Sequence, residues 1–275
     1  KTTLTEDLLF LSGSLRALGS VDKGTSLSDG LEVERKRGIS VRASTLSFAW
    51  QGVQINLIDT PGHVDFSSEV ERALRVRDGA VLVLSAVEGL QAQTEPLWNA
   101  LAARQIPVLL FINKIDRMGA DAAAVLGQLR HAFSPDLVLL NTPEREGEPD
   151  AQVGPLTPAL ERELLEKVAA TDEDLLGLYL DEKPLPPEAV QHALAEATGR
   201  RALFPVLCGA AKTEVGVREL LDAIVAYLPD ANTQDQAPLS GVVFRLDHDP
   251  KLGRIAGVRL YTGSLKTRDL IENTT

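Results

Sequence analysis

The sequence predicts an α/β fold built on a mainly parallel sheet, and three observations carry that prediction. Short apolar runs alternate with longer stretches of helical periodicity. Residues that bear chemistry stand at the carboxyl ends of three of those runs. Gln51-Gly52 alone reads as a tight antiparallel turn between two of them. Strands that alternate with helices imply a sheet covered on both faces, with the loops at the strand carboxyl ends forming a site.

In chain order, Leu4, Leu8, Leu9, Leu11, Leu15 and Leu18 stand at helical spacing and predict a helix over 3–18 that ends near Gly19. Strands are expected at 44–50 and 53–58, antiparallel through Gln51-Gly52, and then at 80–85, 108–112 and 204–208. Helices are expected at 66–77, 91–104, 121–132, 158–170, 187–198 and 215–228. Asp116 and Gly209 are about ninety residues apart, where a helix-and-strand return needs roughly thirty, so an insert is expected at about 120–203. Within it, Asn141 to Pro158 has few large apolar side chains and reads as a mobile connector. Asp230 to Pro238 is polar, and 240–246 and 254–262 then alternate apolar and polar positions, with a turn at Tyr261 to Leu265. The expected organisation is one domain over 1–230 and the start of a β domain over 238–275, too short to close a barrel by itself.

Composition narrows the class. A chain of 275 residues can hold more than one core, and its single cysteine, Cys208, excludes an intrachain disulfide. No run approaches the ~20 apolar residues of a membrane span and nothing at the start resembles a signal peptide, although the start reads as truncated. A cytoplasmic protein without membrane contact, monomeric in solution, is the expectation. The formal charge of −11 argues against broad polyanion binding, because Lys and Arg supply nonspecific affinity for phosphates. Any RNA contact must be local. Glu34-Arg35-Lys36-Arg37 is one candidate, and a solvated loop is the plain alternative.

The most informative junction is the run Pro107 to Ile112 followed by Asn113, Lys114, Ile115 and Asp116. Two carboxylate oxygens of Asp116 match the spacing of the N1 and N2 protons of guanine, a pairing adenine cannot make. A wrong base leaves a desolvated carboxylate unpaired, at a cost of about 1 to 3 kcal/mol. Asn113 would brace the loop and the Lys114 stem would lie on the purine face. A strand-end turn is the plain alternative, since Asn and Asp are common there. Position relative to two earlier pieces gives the motif weight. Asp59, Thr60, Pro61, Gly62 and His63 end the run Val53 to Ile58, which suits a carboxylate reaching magnesium through water and a glycine amide approaching a terminal phosphate. Lys1, Thr2 and Thr3 match the end of a phosphate-binding loop that opens a helix, without the glycines of such a loop. If the molecule begins at Lys1, nucleotide binding is expected to be severely weakened. A fourth piece, Cys208-Gly209-Ala210-Ala211-Lys212, also follows a predicted strand.

Together with Leu18-Gly19-Ser20-Val21-Asp22-Lys23-Gly24-Thr25 and Glu34-Arg35-Lys36-Arg37-Gly38-Ile39-Ser40, these motifs resemble the GTPase domain of elongation factor G-type translation factors over almost the whole chain. Within that group, Leu18 to Thr25, Phe48-Ala49-Trp50 and Gly241-Val242-Val243-Phe244 look most like the ribosomal protection proteins of tetracycline resistance. Elongation factor G and release factor 3 remain alternatives. The resemblance implies a P-loop GTPase domain with an inserted subdomain and a following β-barrel, hydrolysing GTP on the ribosome with Mg2+. It implies that Lys1 contacts the β and γ phosphates beside Thr3, that Thr2, Ser40 and Asp59 serve the metal, and that Gly62 binds the γ-phosphate. His63 would orient the attacking water; an ordinary turn histidine is its plain alternative. Ser40 stands where the family usually has Thr, keeping the oxygen. Ala210-Ala211-Lys212 stands where it commonly has Ser-Ala-Lys, so the Ala211 amide can meet the guanine oxygen while the lost hydroxyl loosens the loop. Two rival readings stand beside this one: a scaffold that binds GTP without hydrolysing it, and a P-loop ATPase or kinase, which Asn113 to Asp116 disfavours.

Overall fold

The structure is a computed structural model that describes residues 1–19, 43–62, 67–231, 237–249 and 253–272. Its centre is a four-stranded parallel sheet of β3 (Ala80–Ser85), β4 (Val108–Asn113), β8 (Phe204–Cys208) and β5 (Leu137–Leu139), in the spatial order β3-β4-β8-β5. Every residue of β4 is buried, which is why its sequence reads as one apolar run rather than an alternation. Alternation still governs its two faces. Val108, Leu110 and Ile112 pack with α3 (Thr94–Ala103) and α4 (Ala122–Ala132) through Trp98, Leu101, Leu126 and Leu129. Leu109 and Phe111 pack with α1 (Thr2–Leu11) and α8 (Val217–Tyr227) through Leu4, Leu8, Leu220 and Leu221. The fold is thus the expected α/β class with helices on both sheet faces.

Two expected strands form a separate antiparallel pair, β1 (Ser44–Trp50) with β2 (Val53–Asp59). Gln51 and Gly52 both have positive φ, 48° and 81°, which matches the twist of a two-residue hairpin turn. Trp50 Nε1 donates to Asp222 Oδ1 at 2.7 Å and pins the hairpin to α8. β2 and β3 both line a cavity of about 600 Å³, and among the described residues neither pairs with the other.

Three expectations need correction. The first helix ends at Leu11 rather than Leu18, because Gly13 takes φ +76° and Ser12 turns its hydroxyl back to Leu9. Leu15 nevertheless packs on the same cluster, so the leucine spacing continues beyond the helix that it suggested. Second, the stretch 141–158 is no featureless connector. It contains a hairpin of β6 (Thr142–Glu144) and β7 (Gln152–Gly154), held by backbone pairing that apolar patterning does not report. Third, a helix was missed between α5 (Pro158–Ala169) and α7 (Pro187–Gly199). This is α6 (Glu173–Leu180), whose N-cap Asp172 accepts from Leu175 N at 2.9 Å. Gly177 and the exposed Leu176 and Leu180 obscure its pattern. Val168, Leu175 and Leu194 give these helices a small core of their own, whereas α4, inside the span assigned to the insert, packs on the main sheet.

After residue 236 the described chain forms an antiparallel pair, β9 (Ser240–Asp249) with β10 (Gly253–Thr262). Arg259 grips the turn before β3 with two parallel bonds to Asp78 carboxylate oxygens, each 2.7 Å. Tyr261 donates its hydroxyl to Arg75 O at 3.3 Å, and Arg245 reaches Ala43 O at 2.8 Å. A bidentate, partly buried pair of this kind exceeds an ordinary surface ion pair. Arg259→Ala should therefore lower unfolding stability by about 1 to 2 kcal/mol, and Arg259→Lys should recover only part of it, as read by urea denaturation.

Candidate functional site

The loops at the ends of β4 and β8 meet at one atom. Asn113 Oδ1 accepts from its neighbour Lys114 N at 2.8 Å and from Ala211 N, ninety-eight residues on, at 2.9 Å. Gly209 N donates to Ile112 O at 2.9 Å, and Ile115 N returns to Gly209 O at 3.3 Å. Glycine is required at 209, because a Cβ there would stand 2.5 Å from Val215 O and 2.6 Å from Phe111 Cζ. Lys114 takes φ 70°, which turns the chain away from the strand and leaves Asp116 half-buried on the following turn. Among the described residues the Asp116 carboxylate makes no hydrogen bond or ion pair.

Two neighbours were not foreseen. Lys114 Nζ sits 3.0 Å from each carboxylate oxygen of Glu88. A hydrogen bond with Ser85 and the pairing with Lys114 hold the Glu88 carboxyl below its ordinary range. Ser85 ends β3 in register with Asn113, so a polar residue closing a strand beside the motif strand was the available signal. Ala210 and Ala211 are buried and Lys212 is exposed. Ala210 exchanges backbone bonds with Val215 at 2.9 and 3.1 Å and accepts from the Thr213 hydroxyl at 3.3 Å, so this loop is tied without a hydroxyl at 210. The Ala211 amide is engaged by Asn113, and a guanine oxygen would share that donor.

The other motif residues gather at the end of β2. Asp59 is its last residue, is buried, and accepts from Thr5 Oγ1 at 3.0 Å. Lys1 Nζ donates to Thr60 O and Pro61 O, both at 3.2 Å. A Cβ on Gly62 would lie 3.1 Å from Lys1 Cε. Lys1, Thr2, Asp59 and Gly62 thus converge where α1 begins, while Thr3 faces solvent. Burial lowers the Lys1 ammonium pKa against the pull of Asp59, and Arg77 pushes the same way as burial. Arg77 itself is lowered to about 10 by burial. It donates to Ile58 O at 3.2 Å and Ala73 O at 3.1 Å, tying the end of β2 to α2 (Ser67–Leu74). Ser40 and His63 lie outside the described residues, as does the segment Glu34 to Ser40.

A buried carboxyl lies behind the 209–212 loop. Asp7 on α1 is 2% exposed, and its Oδ2 has no hydrogen-bond partner among the described residues. Burial first, then the charges of Glu214 and Glu6, raise its pKa to about 8. The proton is therefore held more tightly in the folded state, so its stabilisation is complete below pH ~4 and is lost as pH rises toward about 8. Asp7→Asn should raise stability by roughly 2 to 3 kcal/mol at pH 9 and by less at pH 5, measured by thermal unfolding at the two values.

The model of the elongation factor Tu GTP binding domain matches residues 1–230. The chain belongs to this family. As a member of the elongation factor Tu GTP-binding domain family, it shares 40% identity over 274 residues with the tetracycline resistance protein TetP of Clostridium perfringens, covering 99% of this chain and 42% of that protein. It shares 42% identity over 276 residues with the oxytetracycline resistance protein of Streptomyces rimosus, covering 98% of this chain and 42% of that one. A crystal structure of a Thermus thermophilus protein superposes with a TM-score of 0.87 at 30% identity, over 98% of this chain and 44% of that chain. The chain thus spans less than half the length of these relatives. A guanine nucleotide is the ligand class for which this family is named.

Proposed function

We propose that this chain hydrolyses GTP on the ribosome, as the switch part of a tetracycline-resistance-type ribosomal protection factor. The observation that carries the reading is the junction at Asn113, which locks the loop bearing Asp116 to the loop from Gly209 to Lys212 and leaves the Asp116 carboxylate without a protein partner among the described residues. A carboxylate so held, beside a Lys stem, has the acceptor chemistry that guanine N1 and N2 demand. The names of the TetP and oxytetracycline resistance relatives support the choice of a tetracycline-resistance type within the family.

At the other end, Lys1 would neutralise the β and γ phosphates, and the Gly62 amide would meet the γ-phosphate. Magnesium takes few protein oxygens and keeps water and phosphate oxygens. The Thr2 hydroxyl at the start of α1 and the Asp59 carboxylate at the end of β2 suit that demand, and no group of three or more His, Cys, Asp or Glu side chains fit for a metal occurs among the described residues. Ser40 would add a third oxygen. When bound, the ion supplies charge neutralisation between the phosphates. His63 would orient the attacking water, since positioning and electrostatics dominate phosphoryl transfer. The γ-phosphate would hold the segments around Ser40 and Gly62, and its loss would release them, so that nucleotide state sets ribosome affinity.

The same reading takes residues 1–230 as the nucleotide domain, with an insert over about 120–203, and 238–275 as the opening of a β-barrel domain. It takes the protein as a cytoplasmic monomer; no helix among the described residues is long and apolar enough to cross a membrane. Phosphate release from GTP, measured with and without ribosomes and in competition with ATP, tests it. Strong stimulation by ribosomes without inhibition by ATP is expected. GTP binding without any release would convert the reading to a non-hydrolysing scaffold.

A further inference from the structure

We propose that Asn141, which belongs to none of the nucleotide motifs, is a positioning residue for the guanine site; the inference rests on the guanine reading above. β5 accompanies β8 only as far as Leu139 opposite Val206, with one further bond from Leu140 N to Val206 O at 2.9 Å. Beyond that point β8 has β4 on one side, where Ile112 pairs with Cys208, and among the described residues no strand on the other. Asn141 takes the empty side. Its Oδ1 accepts from Cys208 N at 2.7 Å and its Nδ2 donates to Cys208 O at 3.1 Å. The side chain is buried, with the residue 6% exposed. One carboxamide therefore substitutes for a strand neighbour and satisfies both main-chain groups of the last residue before Gly209.

The same segment holds the second loop. Gly147 N donates to Ile115 O at 2.8 Å, one residue before Asp116, and Glu146 Oε1 accepts from Ala122 N at 2.7 Å. Residues 141–147 thus touch both loops that meet at Asn113, at Cys208 before one and at Ile115 in the other. Backbone groups buried without partners seek new ones by shifting, and a shift at Cys208 would move the adjoining 209–212 loop relative to Asn113. Asn141 sets where the loop stands; it does not touch the base.

Dissociation of a fluorescent GDP analogue from the whole protein tests this, well below the unfolding temperature of every variant. Asn141→Ala should release the analogue about tenfold faster. Asn141→Asp keeps an acceptor for Cys208 N but cannot donate to Cys208 O when ionised, and should be no better than Ala. Leu194→Ala, which loosens the small core of the insert without touching either loop, should leave the rate within about twofold of wild type. A wild-type rate in Asn141→Ala, whatever its thermal stability, overturns the inference, and so does equal acceleration by Leu194→Ala. If the wild-type protein binds no guanine nucleotide, the guanine reading itself fails. Tight wild-type binding with an indifferent Asn141→Ala removes only the role of Asn141.

Discussion

Asp116→Asn should move the base preference from guanine to xanthine. An amide at this position can no longer accept both guanine protons, but its NH2 can donate to the C2 oxygen of xanthine. Sites built to pair a specific polar edge reject the mismatched analogue by factors of roughly 10⁴, so the combined change in the guanine-to-xanthine ratio should reach at least about 10³. The structure favours so large an effect. Asn113 and Gly209 bond the turn carrying Asp116 to the neighbouring loop, so a misfit at residue 116 has little room to relax. Competition of GDP and xanthosine diphosphate for the variant provides the readout. An unchanged ratio would remove Asp116 from base recognition.

The second large effect concerns hydrolysis alone. His63→Ala should retain GTP binding and lose ribosome-stimulated turnover by about 10² to 10³, the usual scale for removing a group that positions or stabilises the reacting atoms. Its neighbour Gly62 lies against the Lys1 stem, and Lys1 holds the carbonyls of Thr60 and Pro61. The backbone leading into His63 is thus fixed relative to the start of α1, where the phosphates would lie. Single-turnover phosphate release beside equilibrium GTP binding separates the two steps. Equal turnover in both proteins would sink the water-orienting role.

Three of the four strands of the central sheet were legible because burial on both faces writes apolar runs into the chain, most plainly at Val108 to Ile112, whereas the three residues of β5, Leu137–Leu139, are too short a run to stand out. The hairpin at Gln51-Gly52 was legible through its turn residues. Patterning failed where polar bonds, not apolar burial, make the structure. The β6–β7 hairpin looked like a connector for that reason, and Asn141 just before it gave no signal because its partner Cys208 lies 67 residues away. Glu88, 26 residues before Lys114, was hidden in the same way. The helix over-extended to Leu18 shows the converse: Leu15 is at core spacing, but Gly13 has already ended the helix. Order and spacing singled out the motif residues, and the structure brings Lys1, Asp59 and Gly62 together at one end and Asn113 and Ala211 at another. Sequence could not show that Asn113 joins two of the motifs through one oxygen, since that depends on strands β4 and β8 lying side by side.

The central claim is a guanine-specific site at the ends of those two strands. Displacement of a fluorescent GDP analogue by unlabelled GDP and by ADP, in magnesium buffer, measures it directly. The account predicts that ADP will need a concentration at least about 10³ higher than GDP for half-displacement. Equal displacement by the two nucleotides would contradict it.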